Sequence, residues 1–220
     1  MTSSPRPTTL FEEPFENLHD WHTEGGGRIS LLRPGVLRIE CVGSEQGGVG
    51  SMAFCRRDFD DAIALTYHLR VCESNGLIIT FVAMRGLHGE DMLTELPPRK
   101  GEFREYTGPD APMRSYHVSV SRYDDEGKHT GVSNWRRNPG LHLMAQGKDL
   151  CQEIGREYVL RIEQDGPRCA LFVDDQPGPA FVDPGDLPDA IPSGGKIGFR
   201  AIGSRVIAEI THLRVERLAK

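Results

Sequence analysis

The sequence predicts an all-β protein, a two-sheet antiparallel β-sandwich. The chain is interrupted often, by 25 Gly and 15 Pro in 220 residues. Between these interruptions lie short runs rich in β-branched and aromatic residues, and no long segment follows the 3.6-residue period of a helix. Many short strands separated by turn signals are typical of sandwiches, barrels and jelly rolls.

The predicted strands are the segments in which apolar residues alternate or cluster between turn residues. They are 28–32, 36–42, 50–55, 62–71, 76–84, 116–123, 158–164, 168–174, 196–201 and 207–217. Asp165-Gly166 separates two of them, a combination that indicates a hairpin. We expect residues 149–155 to form one helical turn, and residues 1–10 to be a loose tail on a single domain that spans 1–220.

One strand, around residues 115–123, divides into two chemically different faces. Val118 and Val120 fall on one face, and His117, Ser119, Ser121 and Tyr123 fall on the other. Arg122 falls on the face of the valines if the strand is regular. An apolar face suits a core, and a polar face suits a ligand; a solvated outer face is the plain alternative.

Composition and charge exclude several classes of function. The net charge is -6 with a pI of about 5.8, so a nucleic-acid partner is not expected. No apolar stretch approaches the roughly 18 residues of a membrane span, and the N-terminus lacks the apolar region of a signal peptide. The five cysteines are widely spaced and odd in number, which argues against a disulfide scaffold or a zinc site and favours a reducing, cytoplasmic setting. We expect no cofactor; a structural calcium ion is compatible with the fold but has no evident ligands, and a homodimer is compatible with the sequence.

Candidate catalytic residues lie in the predicted strand and in the polar segment 85–112, whose length is typical of a functional loop. Glu90, Asp91 and Glu95 are the candidate acid and base groups, and His117 and Tyr123 the candidate proton-transfer partners. Glycoside hydrolysis needs two carboxylates about 5 Å or about 6.5–9.5 Å apart. The alternating carboxylates of many jelly-roll glycosidases are absent here, and Glu24 stands apart from the candidate set.

Candidate binding residues surround that strand in sequence. They combine an aromatic plate for a sugar ring with groups that bind hydroxyls or carboxylates: Arg85, Ser119, Ser121, Asn134, Trp135, Arg136, Arg137, His142 and Arg200. An ordinary salt-bridged loop is the alternative interpretation of the charged members.

Several motifs recur together in one order. They are Trp21 with Glu24-Gly-Gly-Gly27, Ala83-x-Arg-Gly-x-x-Gly-Glu-Asp91, His117-x-Ser-x-x-Arg122, Asn134-x-Arg-x-x-x-Gly140-x-His142-Leu, Gly147 and Gly195-Lys-Ile-Gly-Phe-Arg200. With them the chain resembles the YesU-like family, a domain family of unknown function in the concanavalin A-like lectin/glucanase superfamily. The resemblance extends from about Trp21 to about Val215. It implies a jelly roll with a concave, carbohydrate-facing sheet and a setting in plant cell-wall polysaccharide use, and it supplies no catalytic residues.

Three functions follow from these observations. The first is an intracellular glycoside hydrolase or lyase that acts on plant cell-wall-derived oligosaccharides through a cleft on the concave sheet. The second is a non-catalytic carbohydrate-binding module. The third is a structural or partner-binding sandwich.

Overall fold

The computed structural model describes residues 8–42, 49–124 and 126–218. These residues form antiparallel strands and one short helical turn, α1, at Arg104–Thr107. The strands are β1 (Thr8–Glu13), β2 (Trp21–Gly25), β3 (Arg28–Arg33), β4 (Val36–Val42), β5 (Ser51–Cys55), β6 (Ala62–Gly86), β7 (Met113–Val120), β8 (Val132–Asn138), β9 (His142–Lys148), β10 (Glu157–Asp165), β11 (Arg168–Val173), β12 (Gln176–Val182) and β13 (Lys196–Arg217).

The strands form two packed layers that share their two longest members, β6 and β13. In layer A the order is β12-β11-β10-β6-β13-β4-β3, and β1 pairs with the last residues of β13. In layer B the order is β9-β8-β7-β6-β13-β5-β2. This arrangement confirms the predicted all-β antiparallel sandwich.

β6 and β13 pass from one layer to the other where two glycines meet. A Cβ atom on Gly76 would overlap the carbonyl oxygen of Ile202, and one on Gly203 would overlap that of Asn75. Gly203 also has φ of 147°, which side chains disfavour. The sequence pattern predicted two separate strands in place of β6 and two in place of β13. In the structure each is one continuous strand, because the pairing of β6 with β13 continues through the glycines.

Other predicted elements also differ from the structure. Residues 8–10 belong to β1, which pairs with β13, so the predicted loose tail does not extend to residue 10. Residues 149–155 form turns, and the helical turn lies at α1. The sequence pattern missed β1, β2, β8, β9 and β12, which are short and rich in polar residues or Gly and Pro.

The main core lies between the two layers and is rich in aromatic side chains. Trp21 stacks on Phe199 with ring centroids 5.8 Å apart, and Tyr67 meets Phe199 edge-on at 4.9 Å. Val118 and Val120 of β7 lie in this core, as their alternation predicted. The opposite face of β7 is therefore the outer face of layer B.

A second apolar cluster covers half of that outer face. Strands β5, β6 and β13 present apolar side chains outward, and the loop 87–112 packs its own apolar residues on them. The buried members of the cluster are Met52, Phe54, Ile79, Phe81, Met84, Met92, Tyr106 and Met113. The loop is thus a fixed part of layer B. It leaves uncovered the half of the outer face that β7, β8 and β9 form.

Glu24 at the end of β2 holds this loop in place. Its side chain is nearly fully buried and accepts from Arg99 Nε at 3.0 Å and Nη2 at 2.5 Å. The Tyr106 hydroxyl donates to the same carboxylate. Glu24, which stood outside the predicted site, is therefore a structural anchor.

We expect Glu24→Gln to destabilise the protein by about 3 kcal/mol, because it leaves Arg99 buried without its charge partner. Urea unfolding measures the loss, and limited proteolysis should show faster cleavage within residues 87–112. Glu153→Gln, on a side chain that is 68% exposed, is the matched control and should change neither. Equal stability of the two variants would contradict the anchoring role.

Candidate functional site

The polar half of layer B carries outward side chains from three neighbouring strands. We call His117 and Ser119 of β7, Asn134 and Arg136 of β8 and Gln146 of β9 the polar face. The pairing places His117 opposite Arg136. It also aligns Ser119, Asn134 and Gln146 in one row across the three strands. His117 and Ser119 were predicted to face outward here, and the structure places them so.

His117 is buried, with 2% of its surface exposed, and its ring is held from several sides. Phe81 and Phe103 approach edge-on, with centroids 5.1 and 6.4 Å away. Asn138 Nδ2 donates to His117 Nδ1 at 2.9 Å and to Ser115 Oγ at 2.9 Å. Burial, then the positive charges of Arg136 and Arg200, lower the pKa of His117 to about 3. The imidazole is therefore neutral at physiological pH.

The hydrogen bond from Asn138 fixes the tautomer of His117. Since Nδ1 accepts, the ring proton must be on Nε2. No protein atom among the described residues accepts a hydrogen bond from Nε2. A fully buried nitrogen without a partner would stand among the unsatisfied buried atoms, and Nε2 does not, so it is accessible from outside. The small exposed surface of His117 thus includes a fixed N–H donor that a ligand can reach.

Ser121 breaks the regular alternation after β7. Its φ of 49° ends the strand at Val120 and turns the chain. Arg122 consequently reaches the polar face, which corrects the expectation that it points to the core. Its Nη1 donates to Val132 O at 3.2 Å and, with the Asn134 amide oxygen facing it, to that oxygen at 2.9 Å.

The same turn removes Tyr123 from the polar face. Its backbone N–H donates to Gly76 O, its hydroxyl donates to Gln152 O at 2.8 Å, and its ring packs on His129. Burial raises the pKa of the hydroxyl. Tyr123 and His117 are not brought together, contrary to the predicted row, and Ser121 itself is buried at the turn.

The three candidate carboxylates lie in the loop and stabilise its turns. Glu90 accepts from the His88 N–H at 2.9 Å, and Glu95 accepts from the Asp91 N–H at 2.6 Å. Backbone N–H groups of Glu90 itself and His88 lower the pKa of Glu90. Neither carboxylate contacts His117.

Asp91 is held by an ion pair. Its Oδ2 lies 2.8 Å from the buried Lys196 Nζ, and its Oδ1 accepts from the Leu93 N–H at 2.7 Å. Burial acts to raise the pKa of Asp91, but Lys196 and the backbone donors outweigh it and the pKa is lowered. Lys196 lies two strands from His117 and two residues further along, so their Cα atoms are about 12 Å apart. The predicted catalytic set is therefore not assembled at one point.

Trp135 and Arg137, predicted to meet a ligand, point to the opposite side of layer B. Trp135 is fully buried, donates from Nε1 to Pro179 O at 2.8 Å and packs on Phe181. Arg137 Nη1 donates to both oxygens of Asp183 at 2.9 Å. Both side chains belong to the interior between the layers.

The remaining predicted binding residues are divided among different places. Arg85 pairs with Asp58 at 3.3 Å near the loop, and His142 is half-buried at the start of β9 beside Gly140. Arg200 is fully buried, donates to Gly101 O at 3.0 Å and lies over the rings of Phe103 and Tyr106. Burial lowers the pKa of Arg200 to about 10. Arg200 therefore does not contact a ligand on the polar face, and its influence there is its positive charge, which helps to lower the pKa of His117.

Sequence patterns missed Asn138, Gln146 and Phe103, which position or border the polar face. Asn138 sets the His117 tautomer, Gln146 lies 2.9 Å from the Asn134 amide, and Phe103 covers one edge of the imidazole. Asn138 and Gln146 could have been found only by recognising β8 and β9 as strands and asking which of their residues face outward.

Among the described residues there is no cluster of three or more His, Cys, Asp or Glu that could hold a metal ion. No described helix has the length and apolarity needed to cross a membrane.

We expect Arg137→Met to destabilise the protein by about 3–5 kcal/mol, because Asp183 would remain buried without its cation. Chemical denaturation measures this effect. Arg168→Met, at an exposed position in the β10–β11 hairpin, serves as the control. A loss below about 1 kcal/mol in Arg137→Met would contradict the interior placement of Arg137.

We expect His117 to remain a neutral Nε2–H tautomer in nitrogen NMR spectra from pH 8 to pH 5. Its folded-state pKa of about 3 lies below the ordinary value of 6.5, so the unfolded state binds a proton first as pH falls. Stability should fall below pH 6.5 by up to about 1.4 kcal/mol per pH unit from this group. His117→Phe should lack this contribution, and identical pH profiles for the two proteins would refute the assignment.

Comparisons with known proteins agree with this architecture. The family described as a domain of unknown function (DUF1961) matches residues 9–215. The chain is 29% identical over 200 residues to the uncharacterized protein YesU of Bacillus subtilis (strain 168), covering 87% of this chain and 88% of that protein. It also resembles the crystal structure of a Bacillus subtilis protein of unknown function with a galectin-like fold. There the TM-score is 0.84, the identity is 26%, and 96% of each chain is covered.

A more distant structure shares the fold alone. The carbohydrate-binding module CBM66 of Bacillus subtilis has a TM-score of 0.56 and 15% identity, with 91% of this chain and 97% of that module covered. The family match spans nearly all of the described residues, and the structural matches confirm the lectin-like sandwich. The chain therefore belongs to the DUF1961 family, as its YesU-like motifs predicted.

Proposed function

We propose that this protein binds carbohydrate on the polar face of layer B. The observation that carries the proposal is the fixed Nε2–H of His117, a donor on the small accessible part of an otherwise buried ring, for which the described residues offer no acceptor. Binding sites orient a ligand with a few polar groups in fixed positions, and a reachable donor whose direction is fixed by the surrounding packing is such a group.

The neighbouring groups suit a sugar ring. The amide of the exposed Gln146 can donate to and accept from hydroxyl groups. Ser119 and Asn134 are buried, with 5% and 4% of their surface exposed, and Asn134 supports Gln146 through its own amide. Successive outward residues on one strand are about 6.5–7 Å apart, which is close to the size of a hexose ring. Phe103 borders His117 and offers an apolar edge. Sugar-binding sites combine such apolar contacts with a few placed polar groups.

The comparisons support this proposal at the level of the fold. CBM66, whose name describes it as a carbohydrate-binding module, has the same layered sandwich. The fold hosts several functions, so the polar face of this chain has to carry the specific argument.

Catalysis as a glycoside hydrolase or lyase on plant cell-wall-derived oligosaccharides is a second proposal. The observation in its favour is the strongly lowered pKa of His117, because perturbed groups concentrate at functional sites. Against hydrolysis, Glu90, Asp91 and Glu95 are engaged in turns or ion pairs in the loop. A neutral imidazole beside arginines suits a lyase better than a two-carboxylate hydrolase. We further propose a cytoplasmic location, supported by cysteines that are all free thiols in the structure.

We expect calorimetry against a panel of plant cell-wall oligosaccharides to detect binding that weakens about tenfold or more in His117→Phe, since one buried hydrogen bond is lost. Gln146→Ala, at an exposed position on the same face, should weaken binding without affecting folding. Gln176→Ala, at an exposed position on β12 of layer A, is the control. Binding that is unchanged in both polar-face variants would refute the site.

Turnover separates the two proposals. An absorbance assay for unsaturated products and a reducing-sugar assay on the same panel distinguish a lyase from a hydrolase. We expect binding without turnover. Turnover that Asp91→Asn abolishes while its fold survives would replace the binding proposal with the enzymatic one.

A further inference from the structure

The polar face carries more positive charge than its own contacts neutralise. Arg136 is half-buried on β8, and among the described residues its side chain has one hydrogen-bond partner, the carbonyl oxygen of Leu141, which accepts from Nη1 at 2.6 Å. No described carboxylate lies within ion-pair distance of the Arg136 guanidinium. Its other N–H groups are therefore available to a ligand.

A second guanidinium lies nearby. Arg122 Nη1 contacts the Asn134 amide, and Asn134 precedes Arg136 by two residues on the same face of β8. The Cα atoms of Asn134 and Arg136 are about 6.5–7 Å apart along the strand, so both guanidinium groups belong to the same part of the polar face. The nearest carboxylate to Arg122 is Asp149, which accepts from the Arg122 backbone N–H at 3.1 Å and is shared with His129 and Cys151. Asp149 compensates Arg122 in part, and Arg136 is left without compensation.

Two like charges held close together on a half-buried surface repel each other. Burial is the largest cause that lowers the pKa of Arg122 and of His117, and the positive charge of Arg136 is the next in both. The charge of Arg136 therefore acts on both neighbouring groups of the polar face. Bringing like charges together costs free energy unless a counter-charge is bound. The reachable His117 Nε2–H is a neutral donor on the adjacent strand, at the position directly opposite Arg136.

We propose that the carbohydrate ligand is anionic, and that Arg136, Arg122 and the His117 Nε2–H bind its acidic group. This inference rests on the carbohydrate-binding function proposed above and names the chemical class of the sugar. Guanidinium groups bind carboxylates and sulfates through paired, charge-assisted hydrogen bonds. The acidic group can therefore be the carboxylate of a uronic acid or a sulfate ester on a neutral sugar.

Matched saccharides test the inference. The probes are digalacturonate, its uncharged methyl ester, galactobiose and a 6-sulfated galactobiose, each titrated calorimetrically at low and high salt. We expect an anionic probe to bind at least about tenfold more tightly than its uncharged counterpart, and the difference to shrink at high salt. Preference for digalacturonate or for the sulfated sugar identifies the source of the charge.

Charge variants locate the effect. Arg136→Gln should remove most of the preference for the anionic probe, and Arg136→Lys should retain part of it. Arg168→Gln makes the same charge change at the exposed β10–β11 hairpin and should retain all of it. Thermal melts of each variant confirm that the fold persists.

The outcomes separate the two proposals. If charged and uncharged sugars bind equally and His117→Phe weakens both, the anionic inference fails while carbohydrate binding stands. If the preference survives in Arg136→Gln and Arg122→Gln alike, the anion binds elsewhere and the inference fails. If none of the probes and none of the oligosaccharide panel binds, the proposed function itself fails.

Discussion

The structure depends on the antiparallel pairing of β6 with β13. Both strands run through both layers, so this single ladder fixes how layer A and layer B face each other and encloses the core between them. The contact of Gly76 with Gly203 makes the passage possible, because a side chain at either position would overlap the opposite backbone. β7 pairs directly with β6, and β8 and β9 follow. The polar face is therefore positioned by the same ladder that builds the core.

The two halves of the outer face of layer B depend on each other. The apolar half is sealed by the loop 87–112, which Glu24 holds through Arg99 and Tyr106. That loop carries Phe103, and the apolar half contributes Phe81; both rings border His117 on the polar half. Packing of the loop thus removes water from the imidazole, and Asn138 then selects which nitrogen keeps the proton. The chemistry of His117 follows from the packing of distant residues.

Sequence alone predicted much of the fold, because alternation reports on which side of a strand a residue lies. It placed Val118 and Val120 in the core and His117 and Ser119 on the opposite face of the strand. It failed where a strand was not recognised, because the in-and-out alternation of its residues was then unknown. β8 was not recognised, so neighbours that alternate between the two sides, such as Trp135 and Arg136, were grouped together as ligand-binding. Nor could sequence reveal the positive φ of Ser121 or the long-range pairing of Asp91 with Lys196, which together dispersed the predicted catalytic set.

The charge of the polar face bears on the choice between binding and hydrolysis. A hydrolase needs a proton donor whose pKa lies near the working pH, usually a carboxylic acid in an apolar or negative surrounding. The arginines here create the opposite field, which lowers the pKa of nearby acids and bases alike. A carboxyl group at this position would be ionised and would serve poorly as a general acid. The same field stabilises a bound anion, or negative charge that develops on a bound uronate. The electrostatics of the described residues therefore support the proposed binding of an acidic sugar more than the hydrolysis of a neutral glycoside.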